Sequence, residues 1–240
     1  MTVDDKIIDK IQKLLAHAEG TDNEAESAAF VEKAQLLMQQ YAIEQEMVDA
    51  YEAVGTDTLV TRDVFIPKKN PLTNGKRDLL NACAVNNRCR MWYTEGTHKA
   101  CVAGYESDVT YVILLYTHLL NEMEMELVFA QGESGVSGGG IRTFKANFIQ
   151  SYASRIYSRL AGMNERIKPD ESTDEGKGQA LVLVGRKEAV EKYVETVVPN
   201  LKSGAARNMN YDGFARSAGT AAANAANIAG ARGRTERIGG

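Results

Sequence analysis

The sequence contains Cys89-Arg90-Met91-Trp92-Tyr93, a turn at Glu95-Gly96, and then Lys99-Ala100-Cys101-Val102-Ala103. A glycine-containing turn between two short runs of this composition is typical of a β-hairpin. Apolar residues then recur at helical spacing from Val109 to Met123, which predicts a long amphipathic helix. A hairpin followed by long helices favours an α+β fold over an alternating arrangement of parallel strands.

Segments on either side of this hairpin extend the α+β pattern. Residues Leu59 to Ile66 are β-rich and end at Pro67, so we expect a further strand there. A helix is predicted from Arg77 to Val85, and a second long helix is predicted from Ile141 to Met163. The sequence therefore predicts a mixed domain with a small sheet and long packed helices.

A faint internal duplication is also visible. The run Ala180 to Val184 is apolar and precedes Gly185, and we interpret it as a strand followed by a glycine turn and a helix. Aligning Gly104 with Gly185 then pairs two strand-glycine-helix units. A chance similarity between two such units explains the pattern equally well.

Residues 1–50 predict a helical hairpin. Apolar side chains share one face of each helix, and Gly20 ends the first helix. The connection is short, so the two helices should pack antiparallel. The two facing stripes are Ile7, Ile8, Ile11, Leu14, Leu15 and Ala18, and Phe30, Ala34, Leu37 and Tyr41.

This amino-terminal hairpin carries a family resemblance. It contains Lys10-Ile11-Gln12-Lys13-Leu14-Leu15-Ala16-His17-Ala18, then Asn23-Glu24-Ala25-Glu26, then Ala34-Gln35-Leu36-Leu37-Met38-Gln39-Gln40-Tyr41-Ala42-Ile43. The pattern resembles the short amino-terminal domain of unknown function common in actinobacterial and phage proteins. The resemblance implies a poorly characterised α+β domain downstream and a phage, prophage or actinobacterial accessory origin. It brings no catalytic residues to this chain.

Composition bounds the class of protein. The chain has 240 residues, with 28 basic and 32 acidic side chains and a formal net charge of −4. Its 44% hydrophobic content allows a substantial core and excludes a disordered or collagen-like chain. No apolar run approaches the ~20 residues that cross a bilayer, so we expect a cytoplasmic protein without a membrane segment. Three cysteines favour reduced thiols over a disulfide framework.

Charge is unevenly distributed along the chain. Residues 1–57 carry 4 basic and 13 acidic side chains, whereas residues 62–99 carry 8 basic and 3 acidic ones. Only a local positive region of this kind could attract a polyanion, because the net charge of the whole chain argues against it. The alternative is that acidic and basic segments simply complement each other in the fold.

A nucleic-acid surface is the main candidate site. A basic Pro/Gly loop and an arginine-bearing strand with the single tryptophan combine cations for phosphates with planes that stack on bases. Arginines on the polar side of the 141–163 helix could extend this surface. The alternative is an ordinary basic loop with a core tryptophan. The predicted contacts with DNA or RNA are Lys68, Lys69, Lys76, Arg77, Arg88, Arg90, Trp92, Arg155 and Arg159.

Metal and catalytic signatures are weak. The candidate zinc ligands are Cys83, Cys89, His98 and Cys101. Because they include no Cys-x-x-Cys pair, we predict no zinc site. The sequence carries no familiar catalytic or phosphate-loop motif, and we predict no cofactor and no catalytic residue. An enzyme with an unrecognised pocket stays open as the third interpretation of the chain.

The carboxyl-terminal region predicts one more helix with a face of small residues, from Phe214 to Ala229, which needs a partner surface. That surface belongs to its own domain or to a second copy, which would make a homo-oligomer. The predicted organisation is an acidic hairpin at 1–50, a linker at 51–58, an α+β domain at 59–230 and a flexible basic tail at 231–240.

These features together predict a non-catalytic accessory protein of phage or bacterial nucleic-acid transactions. The alternative is a protein-interaction module whose acidic hairpin, residues 1–50, docks onto a host or phage protein. The position of the basic and aromatic residues in the fold distinguishes the two, because one shared basic face favours nucleic acid and dispersal of these residues favours the partner-protein interpretation.

Overall fold

The computed structural model of the chain describes residues 57–66, 72–166, 168–169, 171–202 and 210–228, together with the single helical positions 14, 30 and 33. Apart from those three positions, the helical hairpin predicted for 1–50 lies outside the described residues. The predicted contacts Lys68 and Lys69 and the predicted tail 231–240 also lie outside them.

The chain divides into two compact units. One consists of residues 1–56, 162–185 and 227–240, and the other of residues 57–161 and 186–226. In the first unit, the hydroxyl of Thr173 accepts a hydrogen bond from the Gly176 amide at 3.0 Å, which caps the start of a helix.

A three-stranded antiparallel sheet lies in the second unit. Its strands are β1 (Leu59–Phe65), β2 (Arg90–Tyr93) and β3 (Lys99–Tyr105), in the order β1-β3-β2. Ala103 of the central strand lies opposite both Thr61 and Arg90. The predicted hairpin and the predicted strand before it are therefore confirmed.

Five helices complete the described fold. They are α1 (Thr73–Val85), α2 (Glu106–Ser134), α3 (Gly140–Arg166), α4 (Asp174–Val197) and α5 (Gly213–Ala225). The mixed content of helix and antiparallel sheet confirms the α+β class. No helix among the described residues has both the length and the apolar character that membrane crossing requires.

The strand predicted from Ala180 to Val184 is wrong, because these residues lie inside α4. Gly185 is likewise a helical residue, so the proposed duplication of a strand-glycine-helix unit fails. A short apolar run does not by itself distinguish a strand from a helix. Val190 and Val194 follow the run and are both buried. Because they are four positions apart, which is a helical spacing, the run and the residues after it form one continuous helix.

The two faces of the sheet pack against different helices. One face buries Val64, Ala100 and Val102 on the side of α1 and α2. The other face places Ala103 against Val190 and Val194, from the second half of α4. Helix α2 also contacts α5, which lies alongside α3. The long helix predicted from Ile141 to Met163 is confirmed within α3, and its buried apolar residues at helical spacing are Phe144, Phe148, Tyr152, Ile156, Leu160 and Met163.

Candidate nucleic-acid interface

The predicted contacts on α1 are engaged inside the fold. Lys76 is only 4% exposed, and its ammonium pairs with Glu124 of α2. The Arg77 guanidinium donates to the carbonyl of Thr97 at 3.0 Å and lies 3.9 Å from the ring centroid of Tyr93. These two cations therefore tie α1 to α2 and to the hairpin rather than forming an open basic surface.

Arg88 belongs to an ion network at the start of α2. It binds the carboxylate of Asp108, and Arg186 lies 3.7 Å from the same carboxylate. Arg186 also pairs with Asp57 at 2.7 Å, and Asp57 in turn accepts hydrogen bonds from the amide and hydroxyl of Ser107. Burial alone would raise the pKa of Asp57, but the hydrogen bonds from Arg186 and Ser107 outweigh burial and lower it.

Arg90 and Trp92 lie on the sheet face that α4 covers. Arg90 forms an ion pair with Glu191 of α4 at 3.2 Å. Trp92 is partly buried against the cluster of Ala103, Val190 and Val194. The structure thus places Arg90 beside an acid and places much of the indole in a packing role.

The remaining two predicted contacts, Arg155 and Arg159, lie where α3 meets α5. The helices approach closely because Gly219 has no side chain, and a Cβ atom there would overlap the carbonyl oxygen of Phe148. Arg155 donates from Nε to Asn224 Oδ1 at 2.5 Å. Arg159 donates to the carbonyls of Ala223 and Ala226 at the carboxyl end of α5, where the helix dipole is negative.

A polar cleft of about 460 Å³ opens along this contact. Its floor includes Arg216, whose Nε donates to Oδ1 of the fully buried Asn147 at 2.9 Å. The hydroxyls of Ser151 and Ser158 donate to main-chain carbonyls one turn earlier and keep lone pairs for other donors. Among the described residues the lining contains no carboxylate and consists of Gln150, Ser151, Ser154, Arg155, Ser158, Arg216 and Thr220.

The chemistry of this cleft suits an anion. Arg155 and Arg216 contact neutral groups, namely Asn224, Asn147 and the ring of Tyr211, and neither guanidinium pairs with a carboxylate of a described residue. Hydroxyl and amide donors beside two guanidinium groups provide the contacts that phosphate oxygens accept. The sequence interpretation included Arg155 and missed Arg216. The spacing of Ser151, Ser154 and Ser158 on one helical face could have indicated the rest.

The cysteines do not form a site of their own. Cys83 and Cys89 are buried, and burial raises the pKa of both thiols. Cys101 lies on the sheet face that also carries Trp92 and Ala103. Burial and a hydrogen bond to Asp63 raise its pKa to about 11. Within the described ranges, no three His, Cys, Asp or Glu side chains are placed to hold a metal ion. The absence of zinc stays a prediction for elemental analysis.

Comparison with known proteins identifies the amino-terminal region alone. A family model described as "Protein of unknown function (DUF2786)" matches residues 6–45. No curated protein matches the chain, and no solved structure matches it. The prediction of an amino-terminal domain of unknown function is therefore confirmed, and the description of that family names no activity.

Proposed function

We propose that this chain is a non-catalytic accessory protein that binds nucleic acid through the cleft between α3 and α5. The observation that carries the proposal is the pair Arg155 and Arg216, whose partners among the described residues are neutral and whose cleft is lined by no described acidic residue. A phosphodiester supplies the negative charge and the acceptor oxygens that this lining can use.

The predicted contacts do not share one basic face, since Arg90 and Trp92 pack against α4 whereas Arg155 lies against α5, so the proposal rests on the cleft alone. The other cations of the fold are less suited to this role. Arg88 and Arg90 would have to give up a carboxylate before binding a phosphate, and Lys76 is buried. Arg159 borders the cleft and adds positive charge at the carboxyl end of α5. Lys68 and Lys69 stay predicted contacts of the basic loop, outside the described residues.

Salt-dependent binding tests the proposal. Fluorescence anisotropy with labelled single-stranded DNA, duplex DNA and RNA should show affinity that falls as salt concentration rises. Arg155→Gln should weaken binding roughly tenfold whatever the base sequence and reduce the salt slope by about one phosphate contact. Lys187→Gln is the matched control, because it removes one charge from an exposed position on α4.

Two results would reject nucleic-acid binding at this cleft. One is the absence of salt-sensitive binding to every oligonucleotide. The other is an equal effect of Arg155→Gln and Lys187→Gln, which would mean that only the overall charge of the protein matters.

The localisation, the source and the domain organisation of the chain are also proposals. We infer a cytoplasmic protein from a phage, a prophage or an actinobacterium on the family resemblance of the amino-terminal hairpin, and the match of residues 6–45 supports the domain assignment. The proposed organisation keeps 1–50 as a separate acidic hairpin, 51–58 as a linker, 59–230 as the α+β domain and 231–240 as a basic tail. Docking of residues 1–50 onto a host or phage protein would be compatible with nucleic-acid binding elsewhere.

A further inference from the structure

Helix α2 carries a second apolar face that the described part of the chain leaves exposed. Met123, Leu127 and Ala130 are buried in the core, whereas Val128 and Phe129 are 69% and 68% exposed. Met125 is 58% exposed and lies on the same side of the helix as these two, at positions i, i+3 and i+4. We call Met125, Val128 and Phe129 the α2 stripe. A contiguous exposed stripe of large apolar side chains is typical of a docking surface.

The surroundings of the α2 stripe are negative. From Glu106 to Ser134 the helix contains no lysine or arginine. Glu126 and Glu133 border the stripe beside Phe129, are exposed, and form no ion pair with any described residue. The last turn of α2 has no basic residue to offset the negative end of the helix dipole.

We propose that the α2 stripe binds a basic amphipathic helix of another protein. Apolar residues repeating every three or four positions would pack on Met125, Val128 and Phe129, in the manner of a helix laid against a helix. Lysine or arginine residues beside them would pair with Glu126 and Glu133 and complement the helix end. The proposal is independent of the cleft between α3 and α5.

Charge argues against the other occupants. A second copy would bring its own acidic α2 against this one, and like charges across an interface are unfavourable. Nucleic acid would be repelled by the same carboxylates and would leave the apolar side chains uncovered. Of these three occupants, a basic amphipathic helix is the one that satisfies both the apolar stripe and its acidic border.

Two synthetic peptides test the proposal with the full chain. Both place leucine at positions i, i+3, i+4 and i+7, and one has lysine at the remaining positions where the other has glutamate. Fluorescence anisotropy should show saturable binding of the lysine peptide and none of the glutamate peptide. The double variant Val128→Ser, Phe129→Ser should weaken binding of the lysine peptide on the order of tenfold or more, since truncated apolar anchors cost this much at interfaces.

Matched variants distinguish binding at the α2 stripe from nonspecific hydrophobic association and from nonspecific electrostatic attraction. Phe65→Ser removes a phenyl ring that is 67% exposed on the sheet, and it should leave peptide affinity unchanged. Glu126→Gln with Glu133→Gln should weaken binding several-fold and reduce its salt dependence.

Four outcomes would overturn the inference: no saturable binding of the lysine peptide, equal binding of both peptides, an equal loss in Phe65→Ser, or a dimer that Phe129→Ser dissociates in analytical ultracentrifugation. The last outcome would assign the stripe to a second copy of the chain.

Discussion

Arg88 holds the carboxylate of Asp108 at two points, with Nη2 2.6 Å from Oδ1 and Nε 3.2 Å from Oδ2. Asp108 lies in the first turn of α2 and is 5% exposed. Arg88 reaches it from a left-handed backbone conformation, with φ of 58°. A non-glycine residue rarely keeps this conformation unless its side chain is held in place. The pair therefore fixes the chain between α1 and β2 onto the start of α2.

This pair makes Arg88 a stability residue, and two substitutions test that. Arg88→Ala should lower the free energy of unfolding by about 2 kcal/mol, because among the described residues it leaves the buried carboxylate of Asp108 with the more distant Arg186 as its ion-pair partner. Arg88→Gly should lower it by about 1 kcal/mol less, since glycine accepts the positive φ without strain. Urea unfolding of both variants measures the difference. Equal stability of the two would contradict the strained backbone.

The network around Asp57 predicts a pH dependence. Its pKa lies below the ordinary value of 3.8, because the hydrogen bonds from Arg186 and Ser107 outweigh the opposing effect of burial. The stabilisation from this carboxylate is therefore fully present above the unfolded pKa and is lost as the pH falls through the folded pKa.

Asp57→Asn should consequently lower stability near neutral pH, and the difference from the unmodified protein should begin to shrink as the pH falls below about 4. Urea midpoints measured from about pH 7 down to about pH 3 test this. Glu133→Gln serves as the control, since Glu133 is exposed and forms no ion pair with a described residue. A difference between Asp57→Asn and the unmodified protein that stays constant over the whole range would contradict the linkage.

The sheet and the long helices could be predicted because their signals are local. The turn at Glu95-Gly96 sets the hairpin, and apolar spacing identifies α2 and α3. The error at Ala180 to Val184 arose where the local signal was ambiguous, since five apolar or small residues fit either period. Only the packing of Val190 and Val194 on Ala103 resolves that segment as helix.

The candidate site was harder to predict because the partners of a cation lie far away in sequence. Lys76 binds Glu124, which is 48 positions away, and Arg186 binds Asp57, which is 129 positions away. Nothing near Lys76 or Arg186 in the sequence reveals these partners. The cleft likewise depends on α5 docking onto α3, where Gly219 meets Phe148.

Removal of the amino-terminal residues tests the predicted domain boundary. A chain that begins at Gly55 keeps Asp57 and its ion pairs and should melt at the same temperature as the full chain, because residues 57–161 and 186–226 contain their own buried core. Leu14→Asp in the full chain should then leave the same transition unchanged. A truncated protein that is insoluble or melts far lower would show that residues 1–54 belong to the cooperative core.

Two glycine-to-alanine substitutions should change stability in opposite directions. Gly185 lies inside α4 with no atom within 4 Å of the position a Cβ would take, so Gly185→Ala should raise the free energy of unfolding by about 1 kcal/mol through helix propensity. Gly219→Ala should lower it by about 1 to 3 kcal/mol, because the added Cβ would collide with the Phe148 carbonyl and push α5 away from α3.

Urea unfolding measures the direction of the stability change for both variants. Oligonucleotide binding by Gly219→Ala provides a second measurement. If α5 moves, Arg216 moves relative to Arg155, and affinity should fall even under conditions where the variant is fully folded. A destabilising Gly185→Ala would contradict the placement of Gly185 inside α4 with free space around it. A neutral Gly219→Ala would show that the two helices do not meet closely enough to form the cleft as described.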